Sequence, residues 1–116
     1  MYTKTHEWVK REEKLVRIGI TDYAQQNLTD VVYVELPKAG KEIKKGDVLA
    51  SIESVKSVSE VYSPVSGVIR EANEGLDDEP EFVNKEPYDN GWLVLIEPDE
   101  EPADLLGAEE YKKVEE

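Results

Sequence analysis

Apolar and polar residues alternate along Leu15-Val16-Arg17-Ile18-Gly19-Ile20, the period of a half-buried strand. With Trp8-Val9 before it and the charged Arg11-Glu12-Glu13-Lys14 between, the pattern predicts a β-hairpin from Val9 to Ile20. Thr21-Asp22 then offers an N-cap to a short helix over Tyr23–Leu28, with Ala24 and Leu28 on one face. Val31–Leu36 is β-branched and aromatic and is stopped by Pro37, so it reads as a strand. Lys38-Ala39-Gly40 and Gly46-Asp47 are turns. Strands follow at Val48–Glu53 and Val58–Tyr62, and β structure resumes at Val65–Glu71 after Ser63-Pro64. Asn73–Tyr88 is an acidic excursion with one helical turn near Glu81-Phe82-Val83-Asn84. Asp89-Asn90-Gly91 signals a turn before a buried strand over Trp92–Ile96. Pro98 and Pro102 bracket a linker, and Ala103–Lys113 reads as a C-terminal helix with Lys112-Lys113 favourable to its dipole.

Two stretches echo two others. Val34–Gly40 is answered by Arg70–Gly75, and Val48–Glu53 by Trp92–Glu97. The echo is that of two β half-units of a pseudo-two-fold sandwich, or the chance recurrence of short runs ending in Ile-Glu.

At 116 residues, with 39% hydrophobic, the chain holds one domain and one modest core. Its 14 Lys and Arg stand against 27 Asp and Glu, a net charge of −13 that repels nucleic acid and anionic membranes. The absence of cysteine excludes disulfides, thiolate nucleophiles and cysteine-based metal sites, and the single histidine, His6, argues against a transition-metal site. No apolar run reaches membrane-spanning length. The N-terminus lacks the features of a signal or transit peptide, so a soluble cytoplasmic protein is expected.

Candidate chemistry is sparse. Glu53-Ser54-Val55-Lys56-Ser57-Val58-Ser59-Glu60 joins two strands through small residues, which makes a tight hairpin with Lys56 at or beside its tip. Acylation of that amine would remove its charge and hang a long arm from a rigid turn; otherwise Lys56 is one more solubilising lysine. His6 and Glu7 form either an acid–base pair or, for His6, a hydrogen-bonded structural site. Trp8 and Trp92 read as core. No glycine-rich phosphate loop is present, and Ser63-Pro64-Val65-Ser66-Gly67 is a strand corner rather than a nucleophile elbow.

Several segments together resemble a known family. They are His6-Glu7-Trp8-Val9, Ile18–Gln25, Val34-Glu35-Leu36-Pro37, Glu53-Ser54-Val55-Lys56-Ser57, Tyr62–Gly67, and Pro87-Tyr88 with Gly91-Trp92-Leu93. In this order and spacing the chain resembles the H protein of the glycine cleavage system, a lipoyl carrier. The resemblance implies a mainly β fold: a lipoyl-domain-like barrel-sandwich hybrid with short flanking helices. It implies a single domain over 1–116, with a lipoyl-type core at about 17–98 and a helical tail at about 103–113. Lys56 would carry lipoic acid as an amide, presented on a β-turn.

The implied partners are a glycine decarboxylase that loads an aminomethyl group, a tetrahydrofolate-dependent aminomethyltransferase that removes it, and a dihydrolipoamide dehydrogenase that reoxidises the dithiol. A lipoate ligase or a lipoyl/octanoyl transferase would attach the arm. The carrier itself would be no enzyme. In the family the loaded arm folds back on the protein; the matching positions are Thr5, Glu7, Ile20, Ala24 and Glu60. A carboxylate there would hold the cationic amine, whereas plain solvent exposure is the alternative for Glu7 and Glu60. Glu53, Gly40 and Gly67 match positions that set the turn for the lipoylating enzyme, and the glycines are expected at positive φ. Ser57 stands where many members carry alanine. The start at Met1 without a presequence fits a prokaryotic member.

Rival readings remain. A relay carrier that donates lipoyl groups to other lipoyl domains would use the same lysine. A biotinyl domain would flank the lysine with methionine, whereas Val55 and Ser57 stand here. A 2-oxoacid dehydrogenase lipoyl domain would lack the His-Glu-Trp start and the C-terminal helix. An unmodified acidic binding module would carry no adduct at all.

Overall fold

The alternating stretches pair into two sheets. The computed structural model describes residues 1–102 and 105–115. Strands β1 (Glu7–Glu12) and β2 (Leu15–Ile20) form the expected hairpin, with Glu7 opposite Ile20 and Glu12 opposite Leu15. Its turn is only Glu13-Lys14, tighter than the four charged residues had indicated; Glu13 takes φ +59 to close it. The sheet therefore begins N-terminal of position 17. Helix α1 (Asp22–Leu28) follows, and the Thr21 hydroxyl caps it by accepting the Ala24 N–H at 3.2 Å.

Strands β3 (Val31–Glu35), β5 (Val48–Ser54) and β6 (Val58–Tyr62) make a three-stranded sheet in the order β3-β5-β6. Between them in sequence, β4 (Glu42–Ile43) is too short to leave a pattern and was not expected. It joins β7 (Gly67–Ala72) and β8 (Val94–Pro98) in a five-stranded sheet ordered β1-β2-β8-β7-β4. The echoing segments thus become antiparallel pairs, β3–β5 in one sheet and β7–β8 in the other.

The acidic excursion holds two helical turns, α2 (Gly75–Asp78) and α3 (Phe82–Lys85), where one was expected. Buried Leu76 and Val83 anchor them. Asn84 fastens the second to the start of β3: its amide donates to the Thr29 carbonyl at 2.6 Å and accepts the Val31 N–H at 2.8 Å. Helix α4 (Ala108–Glu115) starts later than expected. Leu106 is held extended by exchanging backbone hydrogen bonds with Tyr2 at 2.8 and 2.6 Å, so the helix cannot begin before it. Ala103 and Asp104, the expected start, lie outside the described residues.

One apolar cluster draws on both sheets: Ile18, Ile69 and Ile96 from one and Val34, Ile52 and Val61 from the other. Trp8 belongs inside, with its Nε1 donating to the Pro87 carbonyl at 2.8 Å and its ring lying over Gly19. A Cβ on Gly19 would come within 2.6 Å of that ring. Trp92 is only half-buried, because β8 starts after it; the Arg17 guanidinium stacks 4.5 Å from its ring centroid. Among the described residues no helix is long and apolar enough to cross a membrane.

Candidate functional site

The turn between β5 and β6 is built around a buried serine. Glu53 pairs with Val58, leaving Ser54 to close the turn. The Ser54 hydroxyl accepts the N–H of Ser57 at 3.1 Å and of Lys56 at 3.3 Å, and donates to the Ser57 carbonyl at 3.1 Å. The Val55 N–H reaches the Asp30 carbonyl at 3.0 Å, tying the turn to the segment before β3. Lys56 is exposed at this tip, and its ammonium takes part in none of the ion pairs among the described residues. A rigid turn that leaves one amine free is a mounting point. Ser54 was not picked out from the sequence, although a serine three residues before Ser57 in a tight hairpin is a turn-forming signal.

A cleft of about 230 Å³ opens beside the turn. Its apolar lining is Ile20, Leu28, Ile52 and Val61, all buried, with Ala24 on the α1 side. Thr5, Asn27, Ser57, Ser59 and Glu60 supply polar groups around it. Larger hollows of about 320 and 750 Å³ exist elsewhere, but no residue of the Lys56 turn borders them. Ser57 follows Lys56 directly, so the cleft begins where the lysine is mounted.

Glu7 is the buried charge of the cleft, only 2% exposed. One of its oxygens, Oε1, accepts the hydroxyls of Thr3 at 2.7 Å and Thr5 at 2.5 Å. Burial pushes its carboxyl above the ordinary carboxylate range, against these hydroxyl donors and the Tyr62 backbone, which pull it down. Plain solvent exposure, the alternative for both carboxylates, thus fails for Glu7 and holds for Glu60. An amine entering this space would meet an acceptor already oriented and stripped of water.

Thr5, Glu7, Ile20, Ala24 and Glu60, far apart in sequence, are brought to this one cleft. The β1–β2 pairing sets Glu7 opposite Ile20, and the Thr21 cap fixes the helix that carries Ala24. Glu53 is not in the cleft; it is exposed and pairs with Tyr33 and Val58. Gly40 and Gly67 are hydrogen-bonded on the β4–β7–β8 side of the five-stranded sheet, whereas the Lys56 turn belongs to the other sheet. Gly40 does take φ +92, but Gly67 needs no positive φ. At Gly67 the requirement is closeness, since a Cβ would lie 2.2 Å from the Glu97 carbonyl oxygen.

His6 also borders the cleft, where its ring is held by structural contacts. Its Nδ1 is 2.6 Å from the Tyr111 hydroxyl, and its ring packs 4.7 Å from that of Tyr23. The same hydroxyl is 2.6 Å from Thr21 Oγ1. Tyr111 therefore links the N-terminal wall of the cleft to the cap of α1. Neither Thr3 nor Tyr111 was picked out as part of the site, because nothing local marks a residue that acts through another.

Comparison with known proteins bears on the whole chain. A family profile described as glycine cleavage H-protein matches residues 1–116. A glycine cleavage system H protein of Thermotoga maritima is 54% identical over 114 residues, spanning 97% of this chain and 92% of that one. A probable glycine cleavage system H protein of Thermococcus gammatolerans is 56% identical over 116 residues, spanning 97% and 86%. Among solved structures, the crystal structure of a glycine cleavage system H protein from Mycobacterium marinum superposes with a TM-score of 0.89 at 36% identity, covering 97% of this chain and 92% of that one.

Proposed function

The chain belongs to the glycine cleavage H-protein family, and from that premise we propose that Lys56 is the residue that carries its lipoyl group. At the family level the protein is a lipoyl-carrying component of the glycine cleavage system and not an enzyme in itself. The observation that carries the assignment is the free, exposed amine of Lys56 on a rigid turn, next to a cleft that contains a buried carboxylate.

Lipoic acid bound there as an amide would supply a disulfide–dithiol couple at the end of a long flexible chain. The protein's own residues do the rest. Ser54 holds the turn so that the lysine projects from the sheet. Ile20, Leu28, Ile52 and Val61 offer an apolar bed for a hydrocarbon arm. Glu7, positioned by the Thr3 and Thr5 hydroxyls, would accept a charge-assisted hydrogen bond from a cationic amine, with Glu60 adding charge at the cleft. Burial there keeps water from the amine. The partners assigned by this reading are glycine decarboxylase, the tetrahydrofolate-dependent aminomethyltransferase and dihydrolipoamide dehydrogenase.

Intact mass with peptide mapping of the protein from its native cells tests the assignment. The expected result is a gain of one lipoyl amide at Lys56. Lys56→Arg should gain nothing, since a guanidinium is not acylated by the ligase, while its urea unfolding midpoint stays that of the parent. An unmodified Lys56, in cells whose other lipoyl proteins are loaded, would sink the assignment.

A further inference from the structure

Among the described residues His6, Glu13 and Thr29 take positive φ without being glycine, and of these only Thr29 is β-branched. Its backbone, at φ +63 and ψ −149, lies in a region that glycine alone enters without strain. Thr29 follows α1 directly, and its N–H still reaches the Gln25 carbonyl at 3.2 Å. The side-chain amide of Asn84, on α3, holds it there. Asn84 Nδ2 donates to the Thr29 carbonyl at 2.6 Å and to Gln25 Oε1 at 3.1 Å, and its Oδ1 accepts the Val31 N–H at 2.8 Å. One side chain thus clamps the last turn of α1, the strained residue and the start of β3.

This junction connects α1 to the Lys56 turn, and both border the cleft: α1 brings Ala24, Asn27 and Leu28 to it, and the turn brings Ser57. Only Thr29 and Asp30 separate Leu28 from β3, and the Asp30 carbonyl accepts the Val55 N–H at 3.0 Å. A backbone rotation at Thr29 therefore shifts α1 relative to the mount of the lysine. Asn84 does not line the cleft, so any effect it has there passes through Thr29. A threonine held in a conformation that suits glycine persists only while its surroundings over-determine it.

We propose that Asn84 is a positioning residue for the arm: by holding Thr29 in its strained conformation it keeps α1 set against the Lys56 turn, so that the cleft shelters the loaded end of the arm. The inference rests on Lys56 carrying the arm and on the cleft receiving it. Strain gives the junction two states. With the Asn84 hydrogen bonds in place the strained state is the populated one; without them Thr29 relaxes, α1 shifts, and the cleft loosens.

The test follows the loaded arm with no partner enzyme present. Full-length lipoylated protein is reduced, loaded with formaldehyde and ammonia, and freed of excess reagent, and its return of formaldehyde to water is timed. In that hydrolysis the sulfur–carbon and carbon–nitrogen bonds break, water adds, and a thiol, formaldehyde and ammonium result. Asn84→Ala should release formaldehyde about fivefold faster than the parent. The double variant Thr29→Gly, Asn84→Ala should return to within about twofold of the parent, because glycine keeps the conformation without the clamp. That rescue separates positioning from a general loss of hydrogen bonds, which a glycine does not repair. In unmodified protein, amide exchange over residues 28–31 and 55–57 should quicken in Asn84→Ala and recover in the double variant. A release rate for Asn84→Ala within about twofold of the parent overturns the proposal, and so does a double variant as fast as Asn84→Ala. If urea unfolding shows that Asn84→Ala does not fold, the double variant decides: folded with the parent's rate supports the clamp, unfolded or fast overturns it. If the parent releases formaldehyde as fast as loaded free dihydrolipoamide, the cleft shelters nothing and the premise fails; failure of the inference alone leaves the parent sheltered.

Discussion

The Glu7 carboxylate sits where burial and hydrogen bonding pull in opposite directions. Burial is the larger effect and raises its pKa; the Thr5 and Thr3 hydroxyls and the Tyr62 backbone act against it. Because the folded value lies above the unfolded one, the native state holds more protons than the unfolded state as pH rises through that window. The stability linked to Glu7 is therefore fully present at pH below the unfolded pKa and is lost as pH rises through the folded pKa. Glu7→Gln removes this titration while keeping an acceptor near the Thr3 and Thr5 hydroxyls. Urea unfolding of both proteins across the acidic to neutral range should show the stability of the variant relative to the parent increasing with pH. A difference independent of pH would show that Glu7 does not titrate anomalously. A carboxylate that costs stability in its ionised form is retained against the fold's interest, which fits a group meant to meet a cation. Sequence picked out Glu7 beside His6 and, through the family resemblance, as a docking position, but left solvent exposure open; its burial comes from the β1–β2 pairing and the N-terminal segment, which no local pattern shows.

Among the elements, the C-terminal helix and the N-terminal segment act as one. Tyr2 and Leu106 exchange backbone hydrogen bonds, and the Tyr2 and Tyr111 rings stack with centroids 4.7 Å apart. The Tyr111 hydroxyl then bridges His6, which borders the cleft, and Thr21, the cap of α1. Either tautomer of His6 satisfies this bridge, since a phenol and a threonine can each donate and accept. Tyr111→Phe keeps the ring stack and deletes the bridge. It should cost about 1–3 kcal/mol in urea unfolding, the range for loss of a buried hydrogen-bonding partner. Amide exchange should speed up chiefly over residues 2–8 and at the start of α1. Unchanged exchange there would mean that the ring contacts alone hold the segment. The helix was legible from its apolar and charged residues, but its late start and its role were not, because both depend on Tyr2, more than a hundred residues earlier in the chain.

For the molecule as a whole, charge sets how partners are met. A net charge of −13 on 116 residues makes long-range attraction to basic surfaces strong at low ionic strength and weak once it is screened. The second-order rate of ligase acylation at Lys56 should fall steadily across an ionic-strength series, through KM rather than kcat. A flat profile would remove electrostatic steering from the account.

The chain by itself determined seven of the eight strands, the hairpin bearing Lys56, the capped helix and the acidic charge, because each rests on neighbours in sequence: period-two alternation, a capping threonine, a run of small turn residues. The two-turn excursion, the two-residue strand β4 and the half-buried Trp92 were misread, since they are set by Asn84 reaching β3, by β7 and by the position at which β8 begins. Only the tertiary structure decided that Thr5, Glu7, Ile20, Ala24 and Glu60 share a cleft and that Gly67 is required by a carbonyl rather than by its φ. The reason is physical: periodicity and capping are short-range, whereas burial, desolvation and cross-sheet contact belong to pairs of residues that only folding brings together.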